Sequence, residues 1–145
     1  MKIEIKIDSE CVEPKIIVMT DKMTEEIQTL IKKLSEETSQ MLVGFCEDKA
    51  EILEAEQIIR IYTESGKVYA QTNTTDYTIR LRLYELENRL DKNFVRISNS
   101  EIINLKNVKG FDLSFTGTIC VTLCNGFVTY VSRRYVSKIK QVLGI

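Results

Sequence analysis

The chain has 145 residues, 43% of them hydrophobic, with 20 Lys or Arg against 21 Asp or Glu and no histidine. That is one domain's length with enough apolar residues for a core, and no apolar run approaches the roughly 20 residues of a membrane-spanning helix. Lack of histidine excludes the commonest general base and the Ser-His-Asp triads, and no glycine-rich phosphate loop replaces them, so an enzyme is not expected.

The N-terminal "MKIEIKIDSE" is charged throughout, unlike a signal peptide, so a cytoplasmic chain is expected. The four cysteines, Cys11, Cys46, Cys120 and Cys124, form no CxxC pair. Cys120 and Cys124 share a face of an alternating run but would stand about 13 Å apart along a strand, too far to hold one metal ion. They read as reduced, buried apolar thiols, with no metal or other cofactor expected.

The net charge of −1 hides an asymmetry. Residues 1–57 carry 7 Lys or Arg against 14 Asp or Glu, whereas residues 58–145 carry 13 against 7. An acidic portion beside a basic one fits a polyanion-binding face, although chance clustering produces the same pattern in short chains.

In chain order, "KIEIKI" alternates, with Ile3, Ile5 and Ile7 on one face, and "PKIIVMT" predicts a second short strand with Pro14 at its start. Ile27, Leu30, Ile31 and Leu34 then recur at helical spacing behind Thr24, a fitting N-cap, with Glu25 and Glu26 in the first turn. Residues 1–40 therefore predict a small β-β-α unit, too small to be expected to fold alone. From Met41 onward strands and tight turns dominate: "MLVGFC", "AEIL", "IIRIYTE" and "KVYAQT" around the turn "SG", then "YTIRL". "LRLYELENRL" predicts a helix with Leu83, Leu86 and Leu90 on one face. "NFVRI", "GFDLSFT", "TICVTLC" and "FVTYVS" continue the strands, the last two around Asn125-Gly126, a strong hairpin signal. A final helix carries Tyr135, Ile139 and Val142 or Leu143 as its apolar stripe.

Two segments carry candidate chemistry. In "FVRISNSEIINL", Arg96, Ser98, Asn99 and Ser100 cluster at a turn and supply a cationic fork, two hydroxyls and an amide, groups suited to phosphates and base edges. The plainer reading is a capped turn, with Ser98 or Ser100 as N-cap of "EIINL". In "VSRRY", Ser132 is placed to cap the last helix, with Arg133 and Arg134 in its first turn. Cations there oppose the helix dipole, and a bound phosphate would reverse that penalty; exposed arginines without a ligand are the alternative. Lys67 in "ESGKV" reads as a solvated turn lysine, and the five carboxylates of "CEDKAEILEAEQ" as a solvated edge without calcium-loop spacing.

Taken in order, "LRLYELENRL", "FVRISNSEIINLKNV" and "GFVTYVSRRYVSKIKQVL" resemble the signature of the LytTR family of bacterial DNA-binding domains: a helix before a Phe-x-Arg-Ile strand, the Ser-x-x-x-Asn-Leu turn from Ser100 to Leu105, and the terminal Val-Ser-Arg-Arg-Tyr. The resemblance covers residues 41–145. It implies a mostly β, multi-sheet fold with short helices, and a stand-alone transcriptional regulator whose loops enter successive major grooves on paired direct repeats of double-stranded DNA. It places Asn99 and Arg134 at bases, with Lys67 as the nearest counterpart of a third base contact on a loop that is short here. It places Arg96, Ser98, Ser100, Ser132, Arg133 and Tyr135 at or beside phosphates. It further implies a possible homodimer and a small membrane-protein inhibitor as partners. Residues 1–40 would then serve dimerisation, regulation or the covering of a sheet edge. The competing class is a protein-interaction module or anti-regulator on the same scaffold, which the net acidity favours and the retention of Arg96, Asn99 and Arg134 opposes.

Overall fold

Short runs joined mostly by turns of two to four residues give this chain two antiparallel sheets. The computed structural model describes residues 1–36 and 41–145. After helix α1 (Glu25–Glu36) come β1 (Leu42–Cys46), β2 (Lys49–Leu53), β3 (Arg60–Glu64), β4 (Lys67–Gln71) and β5 (Asp76–Ile79). Helix α2 (Leu83–Arg89) leads into β6 (Phe94–Ser98) and β7 (Glu101–Asn104). The strands β8 (Val108–Asp112), β9 (Ile119–Leu123) and β10 (Val128–Val131) then precede helix α3 (Arg133–Leu143). The first seven strands form one sheet in the order β2-β1-β5-β4-β3-β7-β6, and the last three form a second in the order β10-β9-β8. The architecture is mostly β, as the strand-rich pattern predicts.

Strand periodicity distributes the core to both faces of the larger sheet. Ile61, Ile102 and Phe94 face α2 and pack with Leu83, Leu86 and Leu90. Their chain neighbours Val95, Ile97 and Ile103 face the other way and pack with Ile119, Val121, Leu123 and Val131 of the small sheet and Ile139 of α3. The result is layered: α2, the large sheet, then the small sheet with α3. The stripe of α3 is completed by Tyr135, Val136 and Leu143 rather than Val142, which is exposed.

A buried polar cluster joins the sheets. Arg60 Nη1 donates to Glu101 Oε1 at 3.2 Å, and Thr129 Oγ1 of the small sheet donates to Glu101 Oε2 at 2.7 Å. The Arg60 guanidinium lies between the rings of Tyr62 and Phe127, 4.0 and 3.8 Å from their centroids. Tyr62 in turn stacks on Tyr69 and donates to Asp76 Oδ2 at 2.6 Å. Burial, reinforced by this bond to a carboxylate, pushes the Tyr62 phenol up to about 12.

Three expectations are corrected. "EIINL" is not a capped helix: residues 101–104 form β7, whose β-branched Ile102 and Ile103 fill the two cores from the middle of a paired region. The N-terminal strands are not formed among the described residues. Ile3, Ile5 and Ile7 are each at least 85% exposed, and alternation without a hydrogen-bonded neighbour does not make a strand. The helix of that unit is formed, with Thr24 Oγ1 accepting from the Ile27 amide, while residues 37–40 lie outside the described residues. The cysteines are not buried: Cys46 and Cys120 are intermediate, and Cys11 and Cys124 exposed, the last because the β9–β10 turn begins at it.

Candidate nucleic-acid interface

Three loops meet at one end of the large sheet. The β3–β4 hairpin turns through Ser65 and Gly66, both at positive φ (51° and 78°), the two-residue geometry that matches strand twist and suits Gly at its second position. Its flank is tied to the β6–β7 turn by the Thr63 amide donating to the Ser100 carbonyl at 2.9 Å. The β6–β7 turn is tied to the start of α3 by the Ser132 amide donating to the Ile97 carbonyl, also at 2.9 Å. The three segments singled out in the sequence are thus brought together by backbone bonds.

The β6–β7 turn is held from within. Pairing between β6 and β7 slips between Arg96 and Ser98, a bulge of the kind that re-aims side chains. Arg96 faces α2, where its Nη1 pairs with Glu87 Oε2 at 2.9 Å, and Glu87 also reaches Lys138 Nζ of α3 at 3.7 Å. From there Arg96 Nε donates to the Ser98 carbonyl and Nη2 to the Asn99 carbonyl, each at 2.7 Å. Its side chain is only 13% exposed. Ser98 Oγ accepts from the Ser100 amide and lies 3.3 Å from Ser100 Oγ. The Asn99 side chain points out of this frame and is exposed.

At the start of α3, Ser132 occupies the N-cap position with extended backbone, yet its hydroxyl makes no capping bond. The first turn contains no acid to meet the helix N-terminus. The two arginines part company. Arg133 runs beside the β8–β9 loop, where a Cβ built on Gly117 (φ +76°) would lie 3.5 Å from Arg133 Nε. Arg134 is exposed with no ion pair among the described residues. Tyr135 is half-buried against the second core. Lys67 opens β4 and is exposed beside the Ser65–Gly66 turn.

Two features escaped the sequence reading. Glu87, which anchors Arg96, is indistinguishable from its neighbours in "YELENRL". Asn104 of the Ser-x-x-x-Asn-Leu motif faces inward: its Nδ2 donates to the carbonyls of Ala55 and Ile58 and its Oδ1 accepts from the Lys106 amide. It fixes the connection before β3 and is unavailable to a ligand.

Among the described residues no helix is long and apolar enough to cross a membrane. Residues 48–144 match the family model described as the LytTr DNA-binding domain. The fold is shared with a LytTr DNA-binding domain of a putative methyl-accepting/DNA response regulator from Bacillus cereus, at 22% identity and a TM-score of 0.70, over 73% of this chain and 98% of that one. Along its whole length the chain is 33% identical to proteins called uncharacterized HTH-type transcriptional regulators in Staphylococcus aureus strains MSSA476 and MW2, covering 99% of each. The chain therefore belongs to the LytTr DNA-binding domain family.

Proposed function

We propose that this protein is a sequence-specific transcriptional regulator that reads double-stranded DNA with loops. The observation that carries the reading is the convergence of the Ser65–Gly66 hairpin, the Asn99 turn and the Ser132–Arg134 segment at one end of the sheet. Arg134, exposed and unpaired, reads a base edge in a major groove, with guanine O6 and N7 matching its fork. Asn99 reads a neighbouring base from its rigid turn, and Lys67 approaches a third position. Ser98, Ser100, Ser132, Arg133 and Tyr135 set register on phosphates, helped by the unopposed N-terminus of α3. Three loops on one edge suit a target with two short repeats in successive major grooves.

Arg96 takes a different part. Three of its five N–H donors are already committed to Glu87, Ser98 and Asn99, so it positions the turn. None of the residues assigned to DNA here belongs to residues 1–40.

Selection of bound sites from random duplexes tests the reading. A recurrent motif of paired repeats is the expected outcome. Failure to retard any duplex at low salt would overturn it in favour of a protein-interaction module.

A further inference from the structure

The contact surface does not stop at the three loops. A groove of about 430 Å³ runs between β4 and the connection from β5 to α2, lined by Gly66, Lys67, Thr78, Arg80 and Arg82 among others. It shares Gly66, Val68 and Arg82 with an adjoining groove of about 450 Å³ that ends on Asn99. Lys67, Arg80 and Arg82 are all exposed, and none has an ion pair among the described residues. The Arg80 guanidinium sits over the Phe45 ring, its carbon 4.0 Å from the centroid, a contact that steadies it without using any of its N–H donors in an ion pair. Arg82 stands just ahead of α2, exposed between the two grooves.

Three cations without ion pairs share one trough, Lys67 opposite Glu64 in the β3–β4 register, and a line of phosphates relieves their mutual repulsion. The trough is also continuous with the Asn99 turn, so a duplex seated on that turn passes along it. We infer that Arg80 and Arg82 form a second backbone site, gripping phosphodiester groups that flank the position approached by Lys67. This rests on the DNA-binding reading above and assigns contacts to residues outside the three loops. Arg80 offers the planar fork that matches phosphate oxygens, while Glu64, on the lip of the adjoining groove, sets the limit of the anionic track.

The test measures affinity for a selected site and for a scrambled duplex of equal length across a salt series. Wild type is compared with Arg80→Gln/Arg82→Gln and with Arg82→Gln alone, which disturbs no ring contact or ion pair. The double variant should lose affinity for both duplexes by the same factor, with the log–log salt slope reduced by about 1.8, and the single variant by about 0.9. Arg80→Lys/Arg82→Lys should restore the slope. An unchanged slope in a variant with the wild-type melting temperature overturns the groove while leaving DNA binding intact. A changed ranking of sites at unchanged slope overturns it in favour of base contact. Wild type that binds neither duplex removes the DNA-binding reading and the groove together.

Discussion

Arg96 Nη2 donates to the carbonyl oxygen of Asn99 at 2.7 Å, so an exposed residue of the β6–β7 turn hangs from a guanidinium that is itself clamped on Glu87 of α2. A side chain that must meet a base edge gains affinity when its backbone is fixed beforehand, because less ordering is needed on binding.

The anchor makes an unusual prediction for Glu87. Neutralising an acid beside a DNA surface strengthens binding if simple charge repulsion dominates. Glu87→Gln should instead weaken specific binding, by about tenfold, because one charge-assisted bond to Arg96 is lost and the turn loosens. Arg96→Gln should weaken it similarly with an unchanged salt slope. Titration of a fluorescent duplex at several salt concentrations reads both. A slope reduced by about 0.9 in Arg96→Gln would make it a phosphate contact instead.

The paired arginines should separate in the same assay. Arg134→Ala is expected to weaken specific binding by about 1–3 kcal/mol and to relax base preference at one position. Arg133→Ala, lying along the Gly117 loop, is expected to weaken all duplexes alike and leave the ranking of sites unchanged. Competition among single-base variants of a selected site distinguishes them, and an unchanged ranking in Arg134→Ala would sink its role as a base reader.

These roles show where the sequence was informative. Most strands from Leu42 to Val131 were legible because alternation and turn residues such as Ser65-Gly66 and Asn125-Gly126 act locally. The pattern "EIIN" was ambiguous because four apolar and polar residues fit a helix turn or a strand, and only pairing with β3 and β6 decides. Ile3, Ile5 and Ile7 alternate as well as any strand here, yet pattern cannot supply a neighbour. Arg96 was visible as a cation but not as a positioning group, since Glu87 lies nine residues away and meets it only through the packing of α2 on the sheet. The sequence alone assigns no role to Arg80 and Arg82, and only the groove places them with Lys67.

The inter-sheet cluster sets the stability of the frame. Arg60 and Glu101 side chains are each 11% exposed, so removing one leaves a charge buried without its partner. Glu101→Ala should lower unfolding free energy by about 3–5 kcal/mol, whereas Arg60→Met/Glu101→Leu should recover most of the loss by replacing both charges with apolar volume. Thr129→Val, which removes one hydrogen bond to a carboxylate, should cost about 1.5–3 kcal/mol. Urea unfolding monitored by circular dichroism checks all three, with a constant m-value as the sign that only stability changed.

Tyr62 gives the cluster an alkaline signature. In the unfolded chain a tyrosine ionises near pH 10. In the folded protein burial, with the bond to Asp76, holds Tyr62 protonated up to about 12. Between these values the folded state binds more protons than the unfolded one, so stability falls as pH rises. The contribution of Tyr62 is fully present below pH 10 and is lost progressively as the pH approaches 12. Tyr62→Phe removes this dependence, so the variant's urea midpoint should decline less steeply than that of the wild type from pH 9.5 to 11.5. Tyrosinate absorbance should show the matching change, with one late-titrating phenol absent from the variant. Parallel midpoint curves for the two proteins would mean that Tyr62 ionises at the same pH folded and unfolded, and that its bond to Asp76 does not hold the proton.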